Sequence, residues 1–218
     1  MIDNEYVPDF SDDDFAKDKE SLEKKATQKA YEAMKVDCIS LICKKLNCRA
    51  ASPIDFELFH MFKCLEATIT HTFKTTILHN ELRICLVEYY SEAPTAKSDN
   101  SGTDLYFLGH LTIKTNYPKT YIHKETIKDK IEDIFLKQDV DFPNSKMFSK
   151  RFQVLTEDKI KLLELLQYNR LDNLVSFPNM EVELSGNELL FRNSRKAISI
   201  DEAANICNLA NTLSVIFN

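Results

Sequence analysis

Only three glycines occur in the 218 residues, Gly102, Gly109 and Gly186, and that scarcity narrows both the backbone and the chemistry. Glycine enters left-handed backbone without a steric penalty. A phosphate-cradling loop needs at least two glycines within a few residues, and a nucleophile elbow needs one on either side of its serine. Neither frame can be built from this chain. The three glycines read instead as punctuation. Gly102 lies in the polar stretch 91–103 with Pro94, a mobile loop joining two strands. Gly109 falls in mid-strand, which implies a bulge or the close crossing of another element. Gly186-Asn187 is a two-residue turn that predicts a hairpin.

Periodicity supplies the elements around those points. Residues 1–10 read as a disordered acidic arm. Ser11 ahead of Asp12, Asp13 and Asp14 starts a helix, a hydroxyl cap followed by carboxylates at the positive dipole end. It runs over 11–46 as one helix, or as two joined near residue 36, and docks by its apolar C-terminal half. Ser52-Pro53 opens a second helix carrying Phe56, Phe59, Phe62 and Leu65. The period then drops to two: Phe73, Thr75 and Ile77 form a strand, His79-Asn80-Glu81 turns, and Leu82, Ile84 and Leu86 return. Leu105, Phe107, Gly109, Leu111 and Ile113 alternate with polar residues. Pro118 separates that strand from a short one at Thr120–His123. Thr126 caps a helix burying Ile127, Ile131, Ile134 and Phe135, and Phe148, Phe152 and Val154 enter the core.

The C-terminal third follows the same logic. Thr156 opens a helix with Ile160, Leu163 and Leu166 inward. Met180, Val182 and Leu184 alternate with outward Glu181, Glu183 and Ser185. Ser199-Ile200-Asp201-Glu202 is a capping box. The helix after it aligns Ala203, Ile206, Cys207, Ala210, Leu213 and Phe217. The expected fold is α+β, a mostly antiparallel sheet with helices packed on it, preceded by a long N-terminal helix. In domain terms this is an arm at 1–10, a helical extension at 11–48 and a single α+β domain at 52–218.

Charge and cysteine usage bound the setting. Residues 1–20 hold eight acids against Lys17 and Lys19, and this accounts for the whole formal net charge of −6. A neutral body with an acidic arm lacks the basic footprint of a nucleic-acid binder. No apolar run reaches membrane-helix length, and the N-terminus shows no secretory leader, so the expected location is the cytoplasm without direct membrane insertion. Cys38, Cys43, Cys48, Cys64, Cys85 and Cys207 contain no Cys-x-x-Cys pair and read as reduced, structural thiols. Steps of five along a helix rotate ~500° each, which would fan Cys38, Cys43 and Cys48 around the axis.

Catalytic and metal candidates are sparse. His60, His71, His79, His110 and His123 have no zinc-ligand spacing, so no metal or cofactor is expected. A nucleophile made from Cys85 and His110 is conceivable because both lie on predicted strands, but His110 reads as a surface residue. The clusters Lys146/Lys150/Arg151 and Arg192/Arg195/Lys196 read as solvated rims. The tyrosines Tyr89, Tyr90, Tyr106, Tyr117 and Tyr121 collect on or near adjacent strands. They are the candidate interface, since exposed tyrosine offers amphipathic contact area; a tyrosine-edged core is the competing reading.

Phe107-x-Gly109 in a strand, Phe148-x3-Phe152-x-Val154 before a helix, and the turn at Gly186-Asn187 resemble, in order, an uncharacterised bacterial family. Its members carry a pair of membrane helices followed by a cytosolic α+β domain. The resemblance covers about half of this chain and implies a bacterial α+β domain without assigned catalytic residues. A charged helix stands where the family has its membrane helices. The sequence therefore points to a non-enzymatic interaction module with a protein partner. The alternatives are an acidic inhibitor or immunity-type protein capping a basic partner, and an enzyme with an unrecognised site.

Overall fold

The computed structural model describes residues 12–53, 56, 59, 60, 68–89, 104–124, 138–166, 168 and 170–217, without the side chains of 12–20, 89, 104 and 138. Helix α1 spans Asp12–Leu46 as one piece. Its side chains are exposed over residues 21–30, and burial begins near Tyr31. Cys38, Ile42 and Leu46, four residues apart on one face, are buried. Asn47 ends the helix at φ +49°, and the Cys48 N–H donates to the Cys43 carbonyl at 3.3 Å. This is the Schellman pattern with Asn at the left-handed position.

Among the described residues seven strands follow in one antiparallel sheet: β1 Arg49–Ala50, β2 Thr68–Ile77, β3 Asn80–Tyr89, β4 Asp104–Lys124, β5 Gln138–Asp139, β6 Phe152–Thr156 and β7 Glu181–Arg192. The β2–β3 turn is Leu78-His79, with φ of +50° and +71° and Ile77 paired to Asn80. Both central residues are left-handed, as a type I′ turn demands. The turn therefore lies one residue earlier than its polar residues indicated, and Asn80 already belongs to β3. The expected break at Pro118 is also corrected, because β4 runs on through it to Lys124.

β4 and β7 shape the centre of the sheet. The first half of β4 pairs with β3, its end pairs with β6, and β7 pairs with both halves. Glu181 at the start of β7 touches Arg192 at its end, at 2.7 Å between side chains. A straight strand of that length would hold its ends roughly 30 Å or more apart. β7 therefore doubles back. Gly186 has φ +65°, and Glu181 stands as many residues before Gly186 as Arg192 stands after Asn187, so the two are cross-strand neighbours about the expected turn. Opposite it, β4 has seven residues between Thr112 and Thr120 where β7 has three between Glu188 and Leu184. The surplus carries β4 past the turn, with Asn116 Oδ1 3.4 Å from where a Cβ on Gly186 would stand.

Three helices complete the described fold: α2 Lys146–Ser149, α3 Lys159–Leu166 and α4 Ile200–Ile216, with a 3-10 turn at Leu171–Ser176. α3 starts two residues later than a Thr156 cap would place it. Thr156 is the buried end of β6, and Asp158 caps the helix by accepting from Lys161 N–H at 3.0 Å. That shift turns Ile160 outward, 73% exposed, and buries Leu162 and Leu166. At α4, Ser199 Oγ accepts from Glu202 N–H at 3.1 Å, so half of the capping box is present. The Glu202 carboxylate instead accepts from Asn193 at 2.9 Å.

The main core joins the inner faces of α1 and α4 to one face of the sheet, through Leu82, Ile84, Leu86, Leu111, Ile122, Val154, Val182, Leu184, Leu189 and Phe191. Gly109 is explained here. A Cβ at that position would stand 2.0 Å from Phe191 Cζ, so the ring lies directly on the bare backbone. The opposite face carries a smaller layer of Cys85, Val87, Leu108, Tyr121 and Leu190 beneath Phe56 and Phe59. The helix expected to open at Ser52-Pro53 is corrected at its start, because residues 51–53, Phe56 and Phe59 belong to no regular element and His60 is helical. Its other positions, Phe62 and Leu65 among them, and the helix expected after Thr126 lie outside the described residues.

Candidate functional site

The smaller face holds the densest polar chemistry described in the fold. The turn in β7 sets it up, because Glu181 and Arg192 meet across the turn on the same side of the sheet. Glu181, expected to point outward, is fully buried. Its Oε1 accepts from Arg192 Nε at 3.0 Å and Arg195 Nε at 2.8 Å. Its Oε2 accepts from Arg192 Nη2 at 2.7 Å, Arg195 Nη2 at 3.2 Å and the Tyr121 hydroxyl. The two arginines expected on a solvated rim are thus partners of a buried acid. The alternation rule misplaced Glu181 because it treats every polar residue as outward, whereas a fully paired carboxylate can be interior. Arg192 at the equal distance across a Gly-Asn turn was the available signal.

Electrostatics make this group inert as a base. Burial alone would raise the Glu181 carboxyl, but hydrogen bonds and charge from Arg195 and Arg192 overcome it and hold it down to about 2. A carboxylate offers about four lone-pair sites, and five donors already occupy them. Tyr121 is pushed well above the usual phenol range by burial first, then by the neighbouring Glu181 charge. It remains a donor at neutral pH. The quartet of Glu181, Arg192, Arg195 and Tyr121 is a charge-saturated clasp tying both ends of β7 to β4.

Two buried histidines lie on the same face of the sheet. The His123 ring lies 5.1 Å from that of Tyr121, and its Nδ1 is 2.9 Å from the Lys124 carbonyl oxygen. Its Nε2 is buried without a partner. His110, expected at the surface, is 4% exposed. Its ring lies 5.5 Å from Phe56 and 6.1 Å from Phe59, and its Nδ1 has no partner. Burial lowers it to about 4, with Arg83 adding to the effect; His123 is lowered too, again chiefly by burial. Both rings are neutral near pH 7.

Cys85 shares the face with His110, one register step away, since Cys85 pairs with Leu108 and Arg83 pairs with His110. Its Sγ lies 3.6 Å from Thr72 Oγ1, and burial pushes the thiol up to about 11. A nucleophilic cysteine needs the opposite shift. The pair is brought near but not activated.

The candidate interface does not assemble as a surface. Tyr117 and Tyr121 are buried: Tyr117 packs edge-on against Phe217 at 5.4 Å, and Tyr121 belongs to the clasp. Both are corrected to core residues. Tyr106 is half-buried against the smaller layer. Tyr90 and the side chain of Tyr89 lie outside the described residues.

The cysteines differ from expectation in one place. Because α1 ends at Leu46, Cys48 is not on the helix, and the Schellman turn folds it back over Cys43 with 3.5 Å between the sulfurs. Among the described residues no three His, Cys, Asp or Glu side chains are grouped to hold a metal ion. Comparison of the chain with known protein families, with curated proteins and with solved structures returned no match.

Proposed function

We propose that the chain is a non-enzymatic interaction module whose contact surface is the stretch of α1 ahead of Tyr31. Burial supports this reading: the described side chains 21–30 are all exposed, although the same helix is fully buried at Cys38, two turns further on. A helix polar on every side gains nothing by packing, and short isolated helices are marginal in water. This stretch is held helical by its anchored C-terminal turns and by local contacts such as Gln28 Nε2 to Glu32 at 3.2 Å. The helix as a whole follows its dipole, with Asp12, Asp13 and Asp14 in the first turn and Lys44 and Lys45 in the last, and charges of both signs alternate along the exposed stretch. Leu22, 66% exposed, is an apolar handle among them. The buried ionisable groups are meanwhile saturated or neutral, which favours binding over catalysis.

The eight acids of residues 1–20 favour a second reading, an inhibitor or immunity-type protein that caps a basic partner. In both readings the protein works in the cytoplasm, and its partner is a protein rather than nucleic acid. Among the described residues no helix is long and apolar enough to cross a membrane. A bacterial origin belongs to the same proposal, supported by Phe107 and Gly109 sharing a strand and by Phe148, Phe152 and Val154 in the core.

Photo-crosslinkers placed at Lys25, at Asp14 and at Lys161 on α3 test the readings in native extract. The first predicts one recurrent protein captured from position 25 and lost when Leu22→Lys is added. Capture of a strongly basic protein from position 14 alone supports the second. Protein capture equal at all three positions, or at none, overturns both.

A further inference from the structure

We propose that Cys43 and Cys48 form a reversible disulfide across the C-terminal cap of α1 when a low-molecular-weight disulfide is present. The geometry carries the idea. A Schellman turn brings its first and sixth residues together and commonly seals them with an apolar contact. Here those two residues are both cysteine, with Cys48 Sγ donating to Cys43 Sγ at 3.5 Å. Both are free, and both are only partly buried, unlike Cys38, Cys85 and Cys207. The backbone bond from Cys48 N–H to the Cys43 carbonyl at 3.3 Å holds the two residues side by side, and their sulfurs are already in contact at 3.5 Å.

The exchange balances as two displacements. The Cys43 thiolate attacks one sulfur of the small disulfide, forming a mixed disulfide and expelling one small thiolate. Cys48 gives up its proton to solvent and attacks the Cys43 sulfur, expelling the second small thiol. Two protein thiols are oxidised and one small disulfide is reduced to two thiols. Cys48 donates its S–H toward the Cys43 sulfur, so Cys43 is the entry point, and Cys48, pushed up to about 12 by burial and then by the Cys43 neighbour, is the resolving group. The bond joins the end of α1 to the residue before β1, whose Arg49 and Ala50 pair with Lys74 and Phe73 of β2. It staples the helix to the sheet edge.

The sequence makes the product easy to map. Trypsin cuts after Lys35, Lys44, Lys45 and Arg49, so the bond links the peptide Val36–Lys44 to Leu46–Arg49. Native full-length protein is incubated with excess oxidised glutathione, quenched with acid and digested without reduction. The expected result is that linked pair as the dominant product, with fragment ions placing the bond on Cys43 rather than Cys38. It should be reversed by dithiothreitol and absent in Cys48→Ser, which should instead accumulate glutathione on Cys43. A linked pair formed only after urea denaturation, a bond from either residue to Cys207, or two glutathionylated thiols without closure would each overturn the proposal.

Discussion

Leu82, Ile84 and Leu86 of β3 belong to the core shared with α4 and the second half of α1, whereas Cys85 and Val87, each the residue after one of them, face the layer of Phe56 and Phe59. The first face is closed by aliphatic and aromatic packing and contains no buried ion pair among the described residues. The second buries Glu181, Arg192, Tyr121, His110 and His123. Apolar packing is disturbed by a change of volume or shape, while a buried charge is stable only when its pairing is complete. The two faces of one sheet should therefore fail in different ways. One should lose stability by steric misfit and the other by loss of a partner or gain of a proton.

The largest effect is expected at the clasp. Glu181→Gln keeps the shape and removes the charge, leaving buried Arg192 without its counter-ion. The expected loss is about 3–5 kcal/mol, as for breaking other buried pairs, read from urea unfolding. A loss under about 1 kcal/mol would mean that the polar face is no more demanding than the dry one.

Acid should separate the faces next. The folded His110 value lies below its unfolded one, about 4 against 6.5. The unfolded state therefore takes up the proton first, and the stabilisation is fully present above about pH 6.5. It is lost as pH falls from there toward 4, by about 3 kcal/mol for that shift. His123, lowered by burial as well, steepens the same limb. Glu181, held to about 2 against 4.5, contributes a second loss below about pH 4.5. His110→Leu should flatten the upper limb of a stability-against-pH curve and leave the lower one. An unchanged upper limb would show that His110 is not the titrating group.

The dry face is tested by Gly109→Ala, whose new Cβ meets the Phe191 ring at 2.0 Å. Overpacking of this kind costs about 1–3 kcal/mol, and Phe191→Leu in the same chain should recover part of it, a coupling that a double-mutant cycle measures. The cost should not change between pH 7 and pH 5. The smallest effect is expected at the start of α4, where Ser199→Ala removes the cap to Glu202 N–H and should cost about 1 kcal/mol at either pH.

The dry face was largely legible in advance, and the polar face was not. Alternation in Leu82, Ile84, Leu86 and Leu111, and helical spacing in Ala203, Ile206, Ala210 and Leu213, marked residues that are all buried. Gly109 signalled a close crossing, and Phe191 supplies it. Period-two reasoning has no means of recognising a polar residue that is interior because its partners come from elsewhere. Glu181, His110 and Tyr121 were accordingly read outward or left undecided. Thr156 was a sound helix cap by residue type but is committed to β6, so α3 began later and Ile160 turned to solvent.

Residue order alone determined the α+β class, the long leading helix, the turn at Gly186-Asn187, the Ser199 cap, and the absence of glycine-framed phosphate or nucleophile sites. These are local matters of backbone permissiveness, capping and hydrophobic period within a few residues. Only the tertiary structure decided that β7 inserts its two arms against separate halves of β4, and that Arg195 and Tyr121 close on one carboxylate. It also decided that Asn47 halts α1 in time to fold Cys48 onto Cys43. Each of those depends on which distant groups are delivered to a buried point, and burial makes unmet charge or hydrogen bonding far more costly than it is in water.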